Sequence, residues 1–380
     1  QSISSNGGAN GIVLNSTGSG GLTVSGTGAN DSGGTILNKT SDAISLIQTG
    51  PVSLSWMRIE DNLGNGIFGT TVNGLSLTNV RVIDNADNDA IDEAGIRLLN
   101  LLGTSTWSSI EVADSLEDNA QVLNSGSNTL TQLTINNSVF RDNSTVSPGN
   151  NGLIIQADGS ANMTVDIVSS DFLRNRANGV QVVNNGTGTV DVEVGGAGSE
   201  FTDNNIGVNI AHNGPSPGRL LFDVTPGTFN STLASPINLN LGGVSNAGSL
   251  MEGNAINNNI DNNDSLTGPG IRVIGNGGGT MTLLLQGNNI IEVANRGIEI
   301  IARDGSNTIN PTLFGNTINL ASTSAADAVH IAAGATSTDT TSICADINGD
   351  DLVANENFLQ SAGLNGIRVR QRFASTTFGL

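Results

Sequence analysis

The sequence predicts an all-β solenoid. Three observations carry this reading: a strand signal that recurs about every 30 residues, Gly and Asn in numbers that suit tight corners, and a deficit of charge. The recurring signal is a small residue followed by apolar–x–apolar. It appears as GIVL at Gly11, AISLI at Ala43, GIF at Gly66, GIRLL at Gly95, AQVL at Ala120, GLII at Gly152 and GVQVV at Gly179. It returns as GVNI at Gly207, PINLNL at Pro236, GIRVI at Gly270, GIEII at Gly297, AVHI at Ala328 and GIRVR at Gly366. Neighbouring copies stand 23 to 38 residues apart, a spread that loops between strands absorb.

A second unit, an apolar residue followed two positions later by x-Asn, recurs nine times and ends on Asn62, Asn85, Asn119, Asn143, Asn175, Asn204, Asn254, Asn288 and Asn316. Between the two units runs a third strand set, such as GLTV, GLSLT, GTVDVEV and GTMTLLL. Three strands per repeat make one coil, so about thirteen coils stacked ~4.8 Å apart are expected, a rod about 60 Å long. Inward Ile, Val, Leu and Phe then lie over the same position one coil away. Asn suits a sharp corner because it tolerates the left-handed backbone region, and stacked Asn side chains can ladder their amides. Asp87–Leu102 has helix-like composition, but GIRLL keeps the repeat phase and favours a strand. Residues 1–380 read as one solenoid, with 1–10 as a polar lead-in and 344–380 as terminal coils that continue into a larger protein or a partner.

Composition sets the outer limits. Hydrophobic residues reach 37%, too many for a disordered chain. The net charge of −20 and a single lysine, Lys39, exclude a phosphate-tracking stripe and a polybasic membrane surface. One cysteine, Cys344, excludes a disulfide framework within the chain and a cysteine zinc site; its apolar strand suggests a small buried hydrophobe. No apolar run approaches the ~18–20 residues of a membrane span. No charged-then-apolar leader precedes Gln1, so a signal peptide is expected to be already removed or outside this sequence.

These repeats resemble the right-handed, single-stranded parallel β-helix of secreted and surface bacterial proteins, the pectin-lyase-like architecture. The Phe-x-x-Asn copies, with GGTI at Gly33–Ile36, are similar to the short motifs of polymorphic outer membrane proteins and other autotransporter passengers. The ending GIRVRQRFASTTFGL looks like the terminal coil of large surface β-helices. The resemblance implies a secreted or cell-surface bacterial protein and covers nearly the whole chain for fold. It does not choose a function, since the fold hosts lyases, hydrolases, adhesins and spikes.

Candidate chemistry is sparse. Polygalacturonase-like members carry Asn-x-Asp, Asp-Asp and Gly-His-Gly on neighbouring coils. In this chain the only Asp-Asp is Asp350–Asp351, and neither His212 nor His330 adjoins a Gly. A calcium-dependent lyase using lysine would have only Lys39, near the start. No Tyr is present, and Trp56 and Trp107 are the only Trp residues for stacking a sugar. Register supplies one candidate groove: the outward residues of successive lead strands are Asn209, Asn238, Arg272, Glu299, His330 and Arg368. The Arg272–Glu299–His330–Arg368 column reads either as a ligand groove or as opposite charges stacked to lessen repulsion. Two acidic loops are calcium candidates. Asp346, Asn348 and Asp350 match the first, third and fifth ligands of an EF-hand-like loop, but Asp351 replaces the Gly and Asn357 the final acid. Asp84–Glu93 holds five acids with no fixed spacing. The Asn-x-Ser/Thr triplets, such as those at Asn15, Asn38 and Asn162, are expected by chance in so Asn-rich a chain. The balance favours an extracellular structural or adhesive segment without catalytic activity and without a cofactor. Its expected partners are neighbouring modules or subunits stacked end to end, with polysaccharide or a host surface as further possibilities. The alternative is a polysaccharide lyase or glycoside hydrolase working on the outer face of the first sheet.

Overall fold

The computed structural model describes residues 1–86, 92–143, 150–230, 232–243, 247–261, 267–347, 356–361, 364–373 and 375–379. Among the described residues every regular element is a β-strand and none is a helix. The chain divides into two compact units, Gln1–Gln181 and Val182–Leu380. Each is a parallel β-solenoid, and the chain makes about eleven turns of ~29 residues, close to the thirteen coils expected. A turn runs through three strands, which belong to a lead, a middle and a short sheet.

In the first unit the lead sheet contains Ile12–Asn15, Ile44–Thr49, Ile67–Asn73, the start of Ala94–Ser108, Asp118–Asn124 and Leu153–Ala157, all paired in parallel. The middle sheet contains Leu22–Val24, Val52–Ser55, Leu75–Thr78, the end of Ala94–Ser108, Thr129–Asn136 and Asn162–Val168. The short sheet begins with Ser5–Asn6, inside the lead-in, and continues through Gly34–Leu37, Met57–Asn62, Arg81–Asn85, Glu111–Ala113, Val139–Arg141 and Asp171–Leu173. GIRLL is strand, as its repeat phase predicts.

The second unit repeats the plan. Its lead strands are Ile206–His212, Ile237–Leu241, Ile271–Gly277, Ile298–Gly305, Val329–Ala333 and Ile367–Gln371. Its middle strands run from Thr189–Gly195 and Arg219–Val224 through Leu250–Ile256, Thr280–Gln286 and Thr308–Phe314 to Ser342–Cys344 and Thr377–Gly379. Its short strands are Ser199–Thr202, Gly227–Asn230, Asn259–Asp261, Asn289–Ile291, Thr317–Asn319 and Phe358–Gln360.

Register keeps like over like. In the first unit Ile36, Ile59, Val82, Val112, Phe140 and Phe172 form one inward column of the short sheet, every member fully buried. Phe140 and Phe172 stack with ring centres 5.0 Å apart and planes within 4°. In the second unit Phe201 and Phe229 do the same at 4.6 Å and 8°. Burying each such side chain contributes about 1.5–3 kcal/mol, so columns of this kind carry the fold.

The corners correct the simple picture of asparagine. At these apolar-x-x-Asn corners the left-handed residue is the one before the Asn: Asp61, Asp84, Asp142, Arg174 and Asp203 have φ between 54° and 57°. The Asn side chain instead turns inward and is buried at Asn62, Asn85, Asn143, Asn175 and Asn204. Asn62 donates to Asn85 at 2.6 Å, and Asn85 donates to the carbonyls of Ile59 and Ile83. Buried amides need such partners, because an unmet one costs about 1–3 kcal/mol.

Four of the expected corner residues behave differently. Asn119 opens the strand Asp118–Asn124, and the corner after Glu111–Ala113 is held by Ser115, whose N–H is 3.4 Å from Asn119 Oδ1. Asn288 and Asn316 occupy another corner, the one entering the short sheet. There Asn258, Asn288, Asn316 and Asn357 form a ladder, each Nδ2 donating to the next Oδ1 at 2.9–3.0 Å. Asn254 belongs to neither corner. It lies on the outer face of Leu250–Ile256, and Ala255, not Met251, stands opposite Leu285, so the ladder residue of that turn is Asn258. The apolar-x-x-Asn spacing thus merges two corners, because both follow an inward apolar residue by a similar distance.

Candidate functional site

A third corner, the one entering the lead sheet, builds the candidate groove. The residue before the small residue is polar in most turns, and its side chain receives the chain from the next turn. Asn65 donates through its backbone N–H and Nδ2 to Asp42 Oδ1 at 3.2 and 2.8 Å. Asn151 does so to Asp118, and Asn178 to Asn151. In the second unit Asn365 does so to Asp327, at 3.3 and 2.8 Å.

The structure places Asn209, Asn238, Arg272, Glu299, His330 and Arg368 side by side in one column, in the register expected. It adds Arg296 and Asp327, which sequence reasoning missed. Each stands at the corner three residues before the outward residue of its own strand. Arg296 pairs with Glu299, and Asp327 Oδ2 lies 3.4 Å from His330 Nδ1. Arg272 Nε is 3.5 Å from Glu299, and Arg368 is 3.7 Å from Asp327. The two acids and the histidine are buried while the arginines stay partly exposed: side-chain exposure is 8% at Glu299, 2% at Asp327 and 3% at His330, against 39% at Arg272 and 43% at Arg368. Burial pushes His330 below its ordinary pKa, and Arg296 pushes the same way against Glu299 and Asp327. Burial acts to raise Asp327, yet hydrogen bonds from Asn365 and the charge of Arg368 hold it below the usual carboxylate range.

An acid beside a histidine, with a second acid near, has the parts of general acid–base chemistry. The same corner-to-face pair recurs where no such chemistry is available. Asp118 Oδ2 accepts from Gln121 at 2.7 Å, and Asn178 donates to Gln121's counterpart Gln181 at 3.1 Å, each three residues on. Asp327–His330 and Arg296–Glu299 are therefore further examples of one repeated clamp between corner and sheet. The sequence signal for three of the four is a polar residue, a small residue, an apolar residue, then a polar residue; Asp118–Gln121 departs from it with Asn119 and Ala120 between.

The remaining candidates are dispersed. Asp346 joins the sheet through its backbone, its N–H donating to Pro311 and its carbonyl accepting from Leu313. Asn348 and Asp350 lie outside the described residues, as do residues 87–91 of the other acidic loop, and among the described residues no cluster of His, Cys, Asp and Glu has metal-binding geometry. Cys344 is exposed, not buried: it follows inward Ile343 and so points outward by strand alternation. Lys39 is buried opposite Asn62, where its Nζ donates to Ser5 Oγ at 2.6 Å and to the Gly7 carbonyl. Trp107 is buried with its indole N–H donating to the Leu75 carbonyl, so it offers no stacking surface.

The fold and its corners define the class, a parallel β-solenoid repeat protein. Searches of protein-family models, curated proteins and solved structures find no match to this chain.

Proposed function

We propose that the chain is an extracellular structural or adhesive β-helical segment of a bacterial surface protein, a stalk, passenger or filament subunit, and that it does no catalysis. The observation that supports this reading is the repetition of the corner-to-face clamp. Its ion-paired versions at Arg296–Glu299 and Asp327–His330 do what the hydrogen-bonded versions at Asp118–Gln121 and Asn178–Gln181 do without a charge partner. Glu299 is held between two guanidinium groups, which suits a structural ion pair better than a base or nucleophile waiting for substrate. Likeness to autotransporter passengers, right-handed winding and a pectin-lyase-like origin belong to the same proposal and rest on the repeat motifs. So does end-to-end stacking on neighbouring modules or subunits, for which open strand edges are the natural template.

The test follows unsaturated and reducing ends released from a panel of acidic and neutral polysaccharides. No release is expected from the chain or from its Glu299→Gln and His330→Gln variants. Release by the unmodified chain that either variant abolishes would establish the alternative, a lyase or hydrolase on the outer face of the lead sheet.

A further inference from the structure

Asn–Gly is the dipeptide in which an asparagine side chain is chemically least protected. Glycine has no Cβ to obstruct its backbone nitrogen, which can reach the amide carbon of the preceding Asn. The dipeptide occurs eleven times in this chain, and ten of the pairs lie in the described residues. In nine of those the Asn amide is held by hydrogen bonds. At the corner entering the lead sheet, Asn65 accepts from the Ala94 N–H and donates to Asp42, Asn151 accepts from Asn178, and Asn365 donates to Asp327. Elsewhere Asn276 accepts from Arg303 Nε at 3.0 Å, and Asn213 donates to Asn185 at 3.2 Å. Several of the glycines are held as well: the N–H groups of Gly7, Gly11, Gly152 and Gly214 donate to backbone carbonyls.

Asn73–Gly74 is the exception. Asn73 ends the strand Ile67–Asn73 and is exposed, and among the described residues its side chain makes no hydrogen bond. Gly74 turns the chain, with φ 91°, toward Leu75–Thr78. Its carbonyl accepts from the Val52 N–H at 3.0 Å, but its own N–H has no hydrogen-bond partner among the described residues. The Asn73 amide lies over Gly103 of the next turn, where a Cβ would stand 2.6 Å from Asn73 Oδ1, so no side chain there restrains it. We propose that Asn73 is a modification site, deamidated in the folded protein by its own neighbour. The Gly74 nitrogen gives its proton to hydroxide and bonds to Asn73 Cγ. The Cγ–Nδ2 bond breaks, and the leaving nitrogen takes a proton from water and departs as ammonia. A cyclic imide is left, which water opens at either carbonyl. One opening gives an aspartate. The other gives an isoaspartate, whose main chain runs through the side-chain carbons and is one methylene longer. Either product adds a negative charge to a chain already at −20, and the isoaspartate lengthens the corner between a lead and a middle strand. The inference goes beyond the scaffold reading and does not depend on it.

Peptide mapping by mass spectrometry provides the test, on the whole chain aged at mildly alkaline pH both folded and in denaturant, with an isoaspartyl methyltransferase assay for the isoaspartate. In the folded chain Asn73 is expected to convert about tenfold or more faster than Asn65, Asn151, Asn178 or any other described Asn–Gly, because a held amide must first give up its hydrogen bonds. In denaturant the pairs are expected to draw level. Asn73→Gln, whose amide would have to close a larger ring, is expected to remove the dominant conversion with an unchanged melting temperature. Conversion at Asn73 no faster than at the corner pairs, the same order of rates in denaturant as in the folded chain, or a dominant conversion that survives Asn73→Gln would overturn the proposal.

Discussion

At the level of single residues, several buried ionisable groups serve corners, and their protonation follows from that. Asp118 is buried at the lead-sheet corner, and burial pushes its carboxyl above the ordinary range against the hydrogen bonds from Asn151 and Gln121. A raised carboxylate weakens the fold at neutral pH, and the penalty disappears as pH falls through the folded pKa. Asn178 shows that an amide serves at the same corner, donating to Gln181. Asp118→Asn is therefore expected to gain about 1 kcal/mol at neutral pH in denaturant titration, with the gain shrinking on acidification. The histidines work in the opposite direction. Burial lowers both His212, wedged between the carbonyls of Asn184 and Gly218, and His330. Below about pH 6.5 the unfolded chain takes protons that the folded chain refuses, so stability falls as pH drops through that value. Asp339, brought down to about 2 by the N–H groups of Ala335 and Thr336 acting against burial, adds a second loss between its ordinary value and about 2. Stability measured from pH 8 to 3 is expected to show both losses, and His330→Gln to reduce the first; an unchanged slope near pH 6 would refute the assignment. A different probe checks Cys344. Its exposure predicts stoichiometric reaction with a thiol reagent in the native state, whereas a need for denaturant would place it inside.

At the level of elements, the ladder entering the short sheet is the clearest structural device. Asn288 is buried and donates both to Asn316 Oδ1 and to the Ala255 carbonyl, and its own Oδ1 accepts from Asn258. Asn288→Ala breaks these bonds and leaves buried partners unmet, an expected loss of about 2–4 kcal/mol. Asn254→Ala, on the half-exposed outer face, should stay within about 0.5 kcal/mol. Equal losses would put the two residues back in one class. This pair also shows what the sequence can and cannot reveal. The strand columns were legible because period-2 alternation repeats at a fixed phase, and the order Arg272, Glu299, His330, Arg368 followed from counting alone. Asn254 was misplaced because MEGN has the spacing of a corner motif while sitting inside a strand. Arg296 and Asp327 were missed because they lie at a corner, where alternation no longer says which way a side chain points. The left-handed Asp before the corner Asn was hidden for a related reason, since Asp and Asn both tolerate that backbone and composition cannot say which of two neighbours adopts it.

At the level of the whole molecule, charge and repetition set the behaviour. A net charge of −20 with few basic residues repels itself in the compact state, so raising salt from about 0.01 to 0.15 M should raise the melting temperature. A fall would mean that ion pairs such as Arg81–Glu111 and Arg141–Asp142 outweigh the general repulsion. Repetition has a subtler cost. A strand that meets the right kind of neighbour one full turn too early would find nearly the same apolar column and nearly the same corner. The irregular corners resolve that ambiguity. Lys39 stands where later turns have Asn and reaches Ser5 and Gly7, Ser115 borrows the side chain of Asn119, and Thr232 takes the place of an Asn in the second unit. Each works as an index mark on an otherwise uniform scale.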